Sequence, residues 1–325
     1  MTGLAFVGAG TVAELYAKAV ERGVAATFRG VVDPDAGAAD ALAARLGGRR
    51  YDTLEALLAD PGVDAVVVMS PTATHADIAG RCLSAGKHVL VEKPVSHTRA
   101  EIDHLARLAE AAGRVCMPAH NYIYNAGMER ARQLVAEGRI GTLASVWLLY
   151  NVFHDEATAA RYGGVLRAVA IHHAYTLLYL CGRPVRVMAV RSRVHYDALP
   201  DEDQALIVCE MPGGALANLW VSFAASDRTG DPWTVVCKVM GTKGTAKVTW
   251  SDAAVDDDGG PAWGIPSYVD SFRAELRFFL ERAVGAGEPP LSSLADARDA
   301  LAILEAAERS IQAGGGFQPV LYSGA

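Results

Sequence analysis

Lys93 stands near the end of the run His88–Pro94, HVLVEKP, in which an apolar strand stops in a Glu-Lys-Pro tripeptide. Proline lacks the N–H that would continue a ladder and turns the chain away from the sheet. The lysine is thereby fixed at a strand's carboxyl end, the edge of an open parallel sheet at which ligands bind. A lysine buried there has a lowered pKa and can exchange a proton with a substrate hydroxyl. A second group suited to that exchange is His172, in the helical run VLRAVAIHHAYTLLYLCG. Residues three and four apart share a helix face, so His172 lines up with Ala168, Tyr175, Thr176 and Tyr179, the polar stripe of that helix. His173 lines up with Val169, Leu177 and Leu180 and is expected in the core with its ring hydrogen-bonded.

Three strand ends upstream of Lys93 carry their own signals. GAGTVA (Gly8–Ala13) fits G-x-G-x-x-A directly after an apolar strand and opens a helix. Gly8 permits the tight turn and Gly10 lets a pyrophosphate approach the backbone. Thr11 and Val12 begin the helix whose unpaired N–H groups face the phosphate, and Ala13 keeps that helix close to the sheet. Asp33 ends the second strand, 25 residues after Gly8, near the spacing of the acid that binds ribose hydroxyls. Asp33-Pro34-Asp35 offers no arginine or lysine to a 2′-phosphate, so NAD is expected rather than NADP. The third end, SPTATH, contributes Ser70, Pro71, Thr72 and His75 as further cofactor candidates, joined by Glu92 and Lys93 from the fourth and by Asn121 from AHNYIYN. His75 reads equally well as a helix-start residue with no ligand. Tyr124, Tyr162, Arg167 and Tyr175 are candidates for the substrate side, although for Tyr162 and Arg167 a solvated loop is the safer reading.

These residues need a scaffold that alternates strands with helices. Leu4–Val7, Thr27–Val32, Ala65–Met69, Val89–Glu92 and a weaker Val115–Ala119 are separated by alanine-rich amphipathic stretches, a pattern of βαβ units with a parallel sheet. Beyond Tyr122 the rhythm changes. A helix at Met128–Glu137 and a long apolar helix at Leu166–Cys181 accompany strands that follow one another directly. The turns Pro212–Gly214 and Gly241–Gly244 suit hairpins. The expected architecture is α/β plus α+β: a dinucleotide-binding domain over residues 1–121 and an α+β domain over 122–325, built on a largely antiparallel open sheet. The C-terminal helix is left the option of returning to the first domain. Ser251–Gly260, acidic and glycine-rich, reads as an exposed loop, and two helices near Ser267–Ala286 and Leu294–Gln312 close the chain.

Composition narrows the function classes. The 325 residues suffice for two cores. A net charge of −7 with no basic run argues against nucleic acid or an anionic membrane surface as partner. No apolar stretch reaches the roughly 18 residues of a membrane span, and a first strand beginning at Leu4 leaves no room for a cleavable leader. The five cysteines are scattered without metal-ligand spacing, as expected of reduced thiols in the cytoplasm. No metal site is expected.

FVGAGTVA, VVVMSPTATH, AGKHVLVEKPVSHT, HNYIYN, GRIGTLASV and GGVLRAVAIHH together resemble the Gfo/Idh/MocA oxidoreductases across essentially the whole chain. The resemblance implies a Rossmann domain joined to an α+β domain whose open sheet commonly serves oligomerisation, here a homodimer or homotetramer. It also implies a cis peptide before Pro94. Members typically oxidise or reduce a secondary carbinol of a sugar or cyclitol, with the lysine of EKP and the helix histidine as catalytic pair, here Lys93 and His172. The family helix usually reads G-G-G-x-L-x-D-x-G-x-H-x-x-D; this chain has Ala168 and Tyr175 at the acid positions, and Ile123 where a basic residue often follows the HN pair. Loss of a neighbouring carboxylate favours neutral imidazole at His172. The nicotinamide half of the site therefore keeps the family pattern and the substrate half departs from it. Two other readings are compatible with these residues: a lyase or glycosidase that uses NAD transiently, and a dinucleotide-binding regulator without catalysis.

Overall fold

Short β-branched runs alternating with alanine-rich helices build a six-stranded, wholly parallel sheet from the N-terminal part of the chain. The computed structural model describes residues 1–225, 234–249 and 266–322; the expected loop Ser251–Gly260 lies outside the described residues. Contacts divide the chain into two compact units, Met1–Tyr124 with Val269–Arg298 and Asn125–Tyr268 with Asp299–Ala325.

In the first unit the strands are β1 (Thr2–Val7), β2 (Ala26–Val32), β3 (Arg49–Arg50), β4 (Ala65–Val68), β5 (His88–Glu92) and β6 (Cys116–Ala119), in the order β3-β2-β1-β4-β5-β6. The order reverses between β1 and β4, which creates a crevice outside their carboxyl ends. Val66, Val67, Val68, Leu90 and Val91 are wholly buried, because helices cover both faces of such a sheet. Each such side chain stabilises the fold by about 1.5–3 kcal/mol. The helices are α1 (Thr11–Glu21), α2 (Ala36–Leu46), α3 (Leu54–Leu58), α4 (Thr72–Ser84) and α5 (Arg99–Ala112). Asp35, Thr53 and Thr98 cap α2, α3 and α5 through their side chains, whereas α1 and α4, which flank the crevice strands, begin at Gly10 and Pro71 without a side-chain cap.

The second unit carries α6 (Ala126–Ala136), β7 (Leu143–Asn151), α7 (Glu156–Ala159), α8 (Val165–Ala168), α9 (Ala170–Cys181), β8 (Arg186–Ser192), β9 (Gln204–Glu210), β10 (Leu216–Ser222), β11 (Thr234–Gly241), β12 (Thr245–Thr249) and β13 (Gln318–Pro319). Its sheet runs β12-β11-β7-β10-β9-β8-β13. Every pairing is antiparallel except β7 with β10. β9–β10 and β11–β12 are the hairpins foreseen at Pro212–Gly214 and Gly241–Gly244. Along β7, Val146, Leu148 and Tyr150 are buried while Trp147 between them is exposed, the period-two pattern of a sheet covered on one face. The register sets Trp147, Trp220, Leu149, Leu206 and Val190 on the uncovered face.

The expected single helix Leu166–Cys181 is two helices, α8 and α9. The break falls at Val169, whose φ of −117° departs from helical geometry, and the His172 N–H donates to the Val169 carbonyl in a tighter turn. Ala168 consequently precedes the break and does not continue the face of His172. Near the C-terminus α10 (Pro266–Arg277) runs into a π-helical segment, Phe278–Val284, and α11 (Leu294–Gln312) follows. No helix among the described residues is long and apolar enough to cross a membrane.

Candidate active site

The dinucleotide signature begins at Gly8, whose φ is +107°; a Cβ there would lie 2.9 Å from the Met69 carbonyl carbon and oxygen. Only glycine tolerates both that dihedral and that approach. The loop after β1 is thereby pressed against the turn after β4, at the reversal of strand order. Gly10 has open space where its Cβ would be, and the first turn of α1 has no side-chain cap. Its N–H groups are oriented for a phosphate and room exists for one to approach. Asp33 is pre-set: Oδ2 accepts from the Ala9 N–H and Oδ1 from the Asp35 N–H, each at 2.7 Å. The carboxylate is thus locked beside the glycine turn, where a ribose diol belongs. On these observations the glycine turn, the uncapped start of α1 at Thr11 and Val12, and Asp33 fit a dinucleotide.

Ser70, Pro71 and Thr72 form the turn from β4 into α4, and the Thr74 hydroxyl donates to Ser70 Oγ at 2.8 Å. His75 is buried, its Nε2 lying 2.6 Å from the Ser70 carbonyl and its Nδ1 2.9 Å from the Pro94 carbonyl. The ring therefore braces the end of β4 to the end of β5, with both nitrogens directed at protein carbonyls. Burial depresses its pKa, opposed by those two contacts. The Lys93–Pro94 peptide is cis.

Lys93 follows β5 directly and is half-buried. Burial lowers its pKa and the Glu92 carboxyl opposes that shift, the direction needed for a lysine that handles protons. Glu92 is itself buried; its Oε2 accepts the Lys93 backbone N–H at 3.0 Å and its Oε1 lies 3.2 Å from the Tyr16 hydroxyl. The same hydroxyl is 2.8 Å from Oε2 of Glu275. Tyr16 and Glu275 carried no signal in the linear sequence: they stand 259 positions apart, and neither belongs to a recognisable motif.

Other first-unit candidates are built into the interior. The Asn121 amide donates to Ser271 Oγ at 2.9 Å and is buried. Tyr124 packs its ring 5.3 Å from that of Phe278, with its hydroxyl on Met117 Sδ.

In the second unit, α9 brings His172 and Tyr175 together. His172 Nδ1 lies 2.6 Å from the Tyr175 hydroxyl, and both residues are buried. Tyrosine therefore occupies the position from which the family acid would act, and meets the imidazole with a neutral hydroxyl. His173, on the other face, has Nε2 3.2 Å from the Trp220 carbonyl; burial pushes its pKa down to about 4. Arg167 forms a bidentate pair with Glu308 at 2.5 and 2.7 Å, on the wall of a polar cavity of about 280 Å³. Tyr162 is exposed, its ring near those of His154 and Phe223. Among the described residues no group of three or more His, Cys, Asp or Glu could hold a metal ion.

Comparison with known proteins agrees with this arrangement. Residues 2–120 match the family model described as an oxidoreductase family with an NAD-binding Rossmann fold, and residues 128–247 match the GFO/IDH/MocA C-terminal domain. The chain is 27% identical over 282 residues to a myo-inositol 2-dehydrogenase of Thermotoga maritima, covering 81% of this chain and 82% of that one. It is 26% identical over 322 residues to an inositol 2-dehydrogenase of Rhizobium meliloti, covering 94% and 95%. The crystal structure of GenD2 from gentamicin A biosynthesis, in complex with NAD, superposes with a TM-score of 0.86 at 28% identity over 98% of this chain and 96% of that one. With both domain models matched in order, and the glycine turn, Asp33 and Lys93 at carboxyl ends of one parallel sheet, this chain belongs to the Gfo/Idh/MocA family of oxidoreductases.

Proposed function

We propose that the protein is an NAD(H)-dependent dehydrogenase or reductase acting on a secondary carbinol or ketone carbon of a cyclitol, sugar or sugar derivative. The observation that carries this reading is that one unit holds, at carboxyl ends of the same parallel sheet, an uncapped glycine turn after β1, a locked Asp33 after β2 and the half-buried Lys93 after β5. The substrate class rests on the two relatives named above, both inositol 2-dehydrogenases. When bound, NAD supplies the hydride acceptor or, reduced, the donor.

The chain's own residues manage the remaining chemistry. Following the family pattern, His172 is the group proposed to take the hydroxyl proton in oxidation, and the Lys93 ammonium the group proposed to stabilise negative charge on the substrate oxygen. In reduction the imidazole returns the proton. Tyr175 fixes the orientation of the His172 ring through Nδ1. Because Tyr175 stands in place of an acid, no carboxylate at that position raises the imidazole pKa, which favours the neutral base at physiological pH. Tyr175, Tyr162 and Arg167 remain candidates for the substrate side.

The uncovered face of the second unit's sheet, with Trp147 54% and Trp220 39% exposed, supports assembly into a homodimer or homotetramer. The five free thiols suit a reducing compartment such as the cytoplasm.

The test is an absorbance assay at the nicotinamide band with NAD and a panel of inositols, aldoses and amino-sugars, run in reverse with keto-sugars and NADH. Turnover with a cyclitol or sugar supports the proposal. Absence of turnover across the panel with intact NAD binding overturns it in favour of a dinucleotide-binding regulator, and product cleavage without net NADH favours the lyase reading.

A further inference from the structure

Behind Lys93 lies a buried chain of oxygen atoms that the reaction does not touch. It joins β5, α1 and α10 through Glu92, Tyr16 and Glu275, all nearly or wholly inaccessible to solvent. Tyr16 Oη sits between two carboxyls, 3.2 Å from Glu92 Oε1 and 2.8 Å from Glu275 Oε2. One hydroxyl hydrogen serves only one of those contacts. The other contact needs a hydrogen from a carboxyl, so the trio holds one proton beyond the tyrosine's own.

The surroundings decide which carboxyl carries it. Glu92 Oε2 accepts the Lys93 backbone N–H; burial raises the Glu92 pKa, and the lysine charge, that N–H and the Tyr16 hydroxyl all oppose the rise in favour of the charged form. Among the described residues no lysine acts on Glu275 in this way. Its Oε1 is buried without a protein hydrogen-bond partner among the described residues, an arrangement costly for a charged carboxylate and tolerable for a neutral acid. The titratable groups facing Glu275 are Tyr16 and Glu92; burial and then the Glu92 charge raise its pKa well above the usual range, and the Tyr16 hydroxyl opposes that rise. Those facing Lys93 are Glu92, His75 and His120.

We propose that Glu275 and Tyr16 are positioning residues for Lys93: Glu275 stays a neutral acid and donates to Tyr16, Tyr16 donates to Glu92, and Glu92 alone presents one negative charge behind the lysine. Each contact then has its own hydrogen. The single charge on Glu92 opposes the lowering of the Lys93 pKa by burial and so favours its ammonium form. A doubly ionised pair would place two like charges about one hydroxyl in the interior. The role assigned to Lys93 rests on the function proposed above; the location of the proton does not.

Infrared difference spectroscopy of the wild-type protein near neutral pH, with Glu275→Gln, Glu92→Gln and Tyr16→Phe, locates that proton without turnover. The expected result is a protonated-carboxyl band that vanishes in Glu275→Gln, persists in Glu92→Gln, and shifts in Tyr16→Phe as its hydrogen-bond partner is lost. No such band in the wild type, or a band that vanishes with Glu92→Gln instead, overturns the proposal whether or not the variants fold as well as the parent. Where the dehydrogenase assay gives turnover, the alkaline limb of kcat against pH adds a second reading. Glu92→Gln moves it to lower pH by about one unit, a tenfold change in the Lys93 equilibrium, and Glu275→Gln leaves it in place. Equal shifts in the two variants show charge on Glu275 and overturn the proposal. Failure to find any substrate removes the catalytic role of Lys93 and leaves the infrared outcome standing.

Discussion

The Tyr175 hydroxyl lies 2.6 Å from Nδ1 of His172, one turn along the same buried helix. This contact fixes the orientation of the imidazole ring through a tyrosine hydroxyl. Tyr175→Phe keeps the ring packing and deletes only the hydroxyl. It is expected to lower kcat about tenfold, the ~1.4 kcal/mol of one neutral hydrogen bond, with NAD affinity unchanged. Tyr175→Asp is expected to shift the acid limb of the rate profile to higher pH, since a carboxylate stabilises the imidazolium. Steady-state kinetics across pH check both; an unmoved limb in the aspartate variant would separate Tyr175 from the acid–base chemistry.

Asp33 is the residue proposed to govern cofactor choice. Its carboxylate is locked by the N–H groups of Ala9 and Asp35, and a 2′-phosphate would meet it as a like charge. NAD is expected to raise the melting temperature more than NADP at equal concentration, because a ligand that binds only the native state stabilises it. Asp33→Ser narrows the difference by weakening NAD about tenfold, and it costs about 1 kcal/mol of stability through the lost bond to Ala9. Stronger stabilisation of the wild type by NADP contradicts the assignment.

Much of this arrangement was legible in the residues. Strand-then-helix rhythm located β1, β2, β4 and β5, because each strand is a short β-branched run closed by a glycine or proline signal. The pairing of His172 with Tyr175 followed from helical spacing alone, as did the core placement of His173. What spacing could not reveal was the interruption at Val169, a matter of one backbone dihedral within an apolar run that reads as continuous helix. Nor could it reveal the parallel pairing of β7 with β10, which joins strands far apart in the chain. Tyr16 and Glu275 were invisible for the same reason: long-range juxtaposition of single polar residues leaves no period. The polar motif after β6 singled out Asn121 and Tyr124, but not their contacts with Ser271 and Phe278, which come from a distant part of the chain.

Three buried histidines set the acid stability. Burial pushes His120 down to about 3, and His154 and His173 down to about 4, against about 6.5 in the unfolded chain. The depressed native values mean that the unfolded state takes up protons first as pH falls. Their stabilising contribution is complete above about pH 6.5. It declines as pH drops toward about 4 for His154 and His173, and toward about 3 for His120. At pH ~5 each costs roughly 2 kcal/mol relative to neutral pH. Urea unfolding at several pH values checks this, and His173→Gln is expected to flatten the slope by one proton.

Lys93→Met keeps the length and apolar stem of the side chain and removes its charge. If the ammonium orients the substrate oxygen and stabilises the charge developing on it, the loss falls on the transition state. Electrostatic stabilisers of this kind are worth about 3–4 kcal/mol, so kcat is expected to fall by roughly two to three orders of magnitude. Asp33, Gly8 and Gly10 are untouched by the change, and calorimetry is expected to return an NAD affinity within about threefold of the parent. Glu92 then faces no opposing charge, and its carboxyl is expected to take up a proton more readily, because the lysine is what favours its ionised form. Turnover near the parent rate in this variant would remove Lys93 from the chemistry and leave the imidazole of His172 to act with the substrate oxygen unassisted.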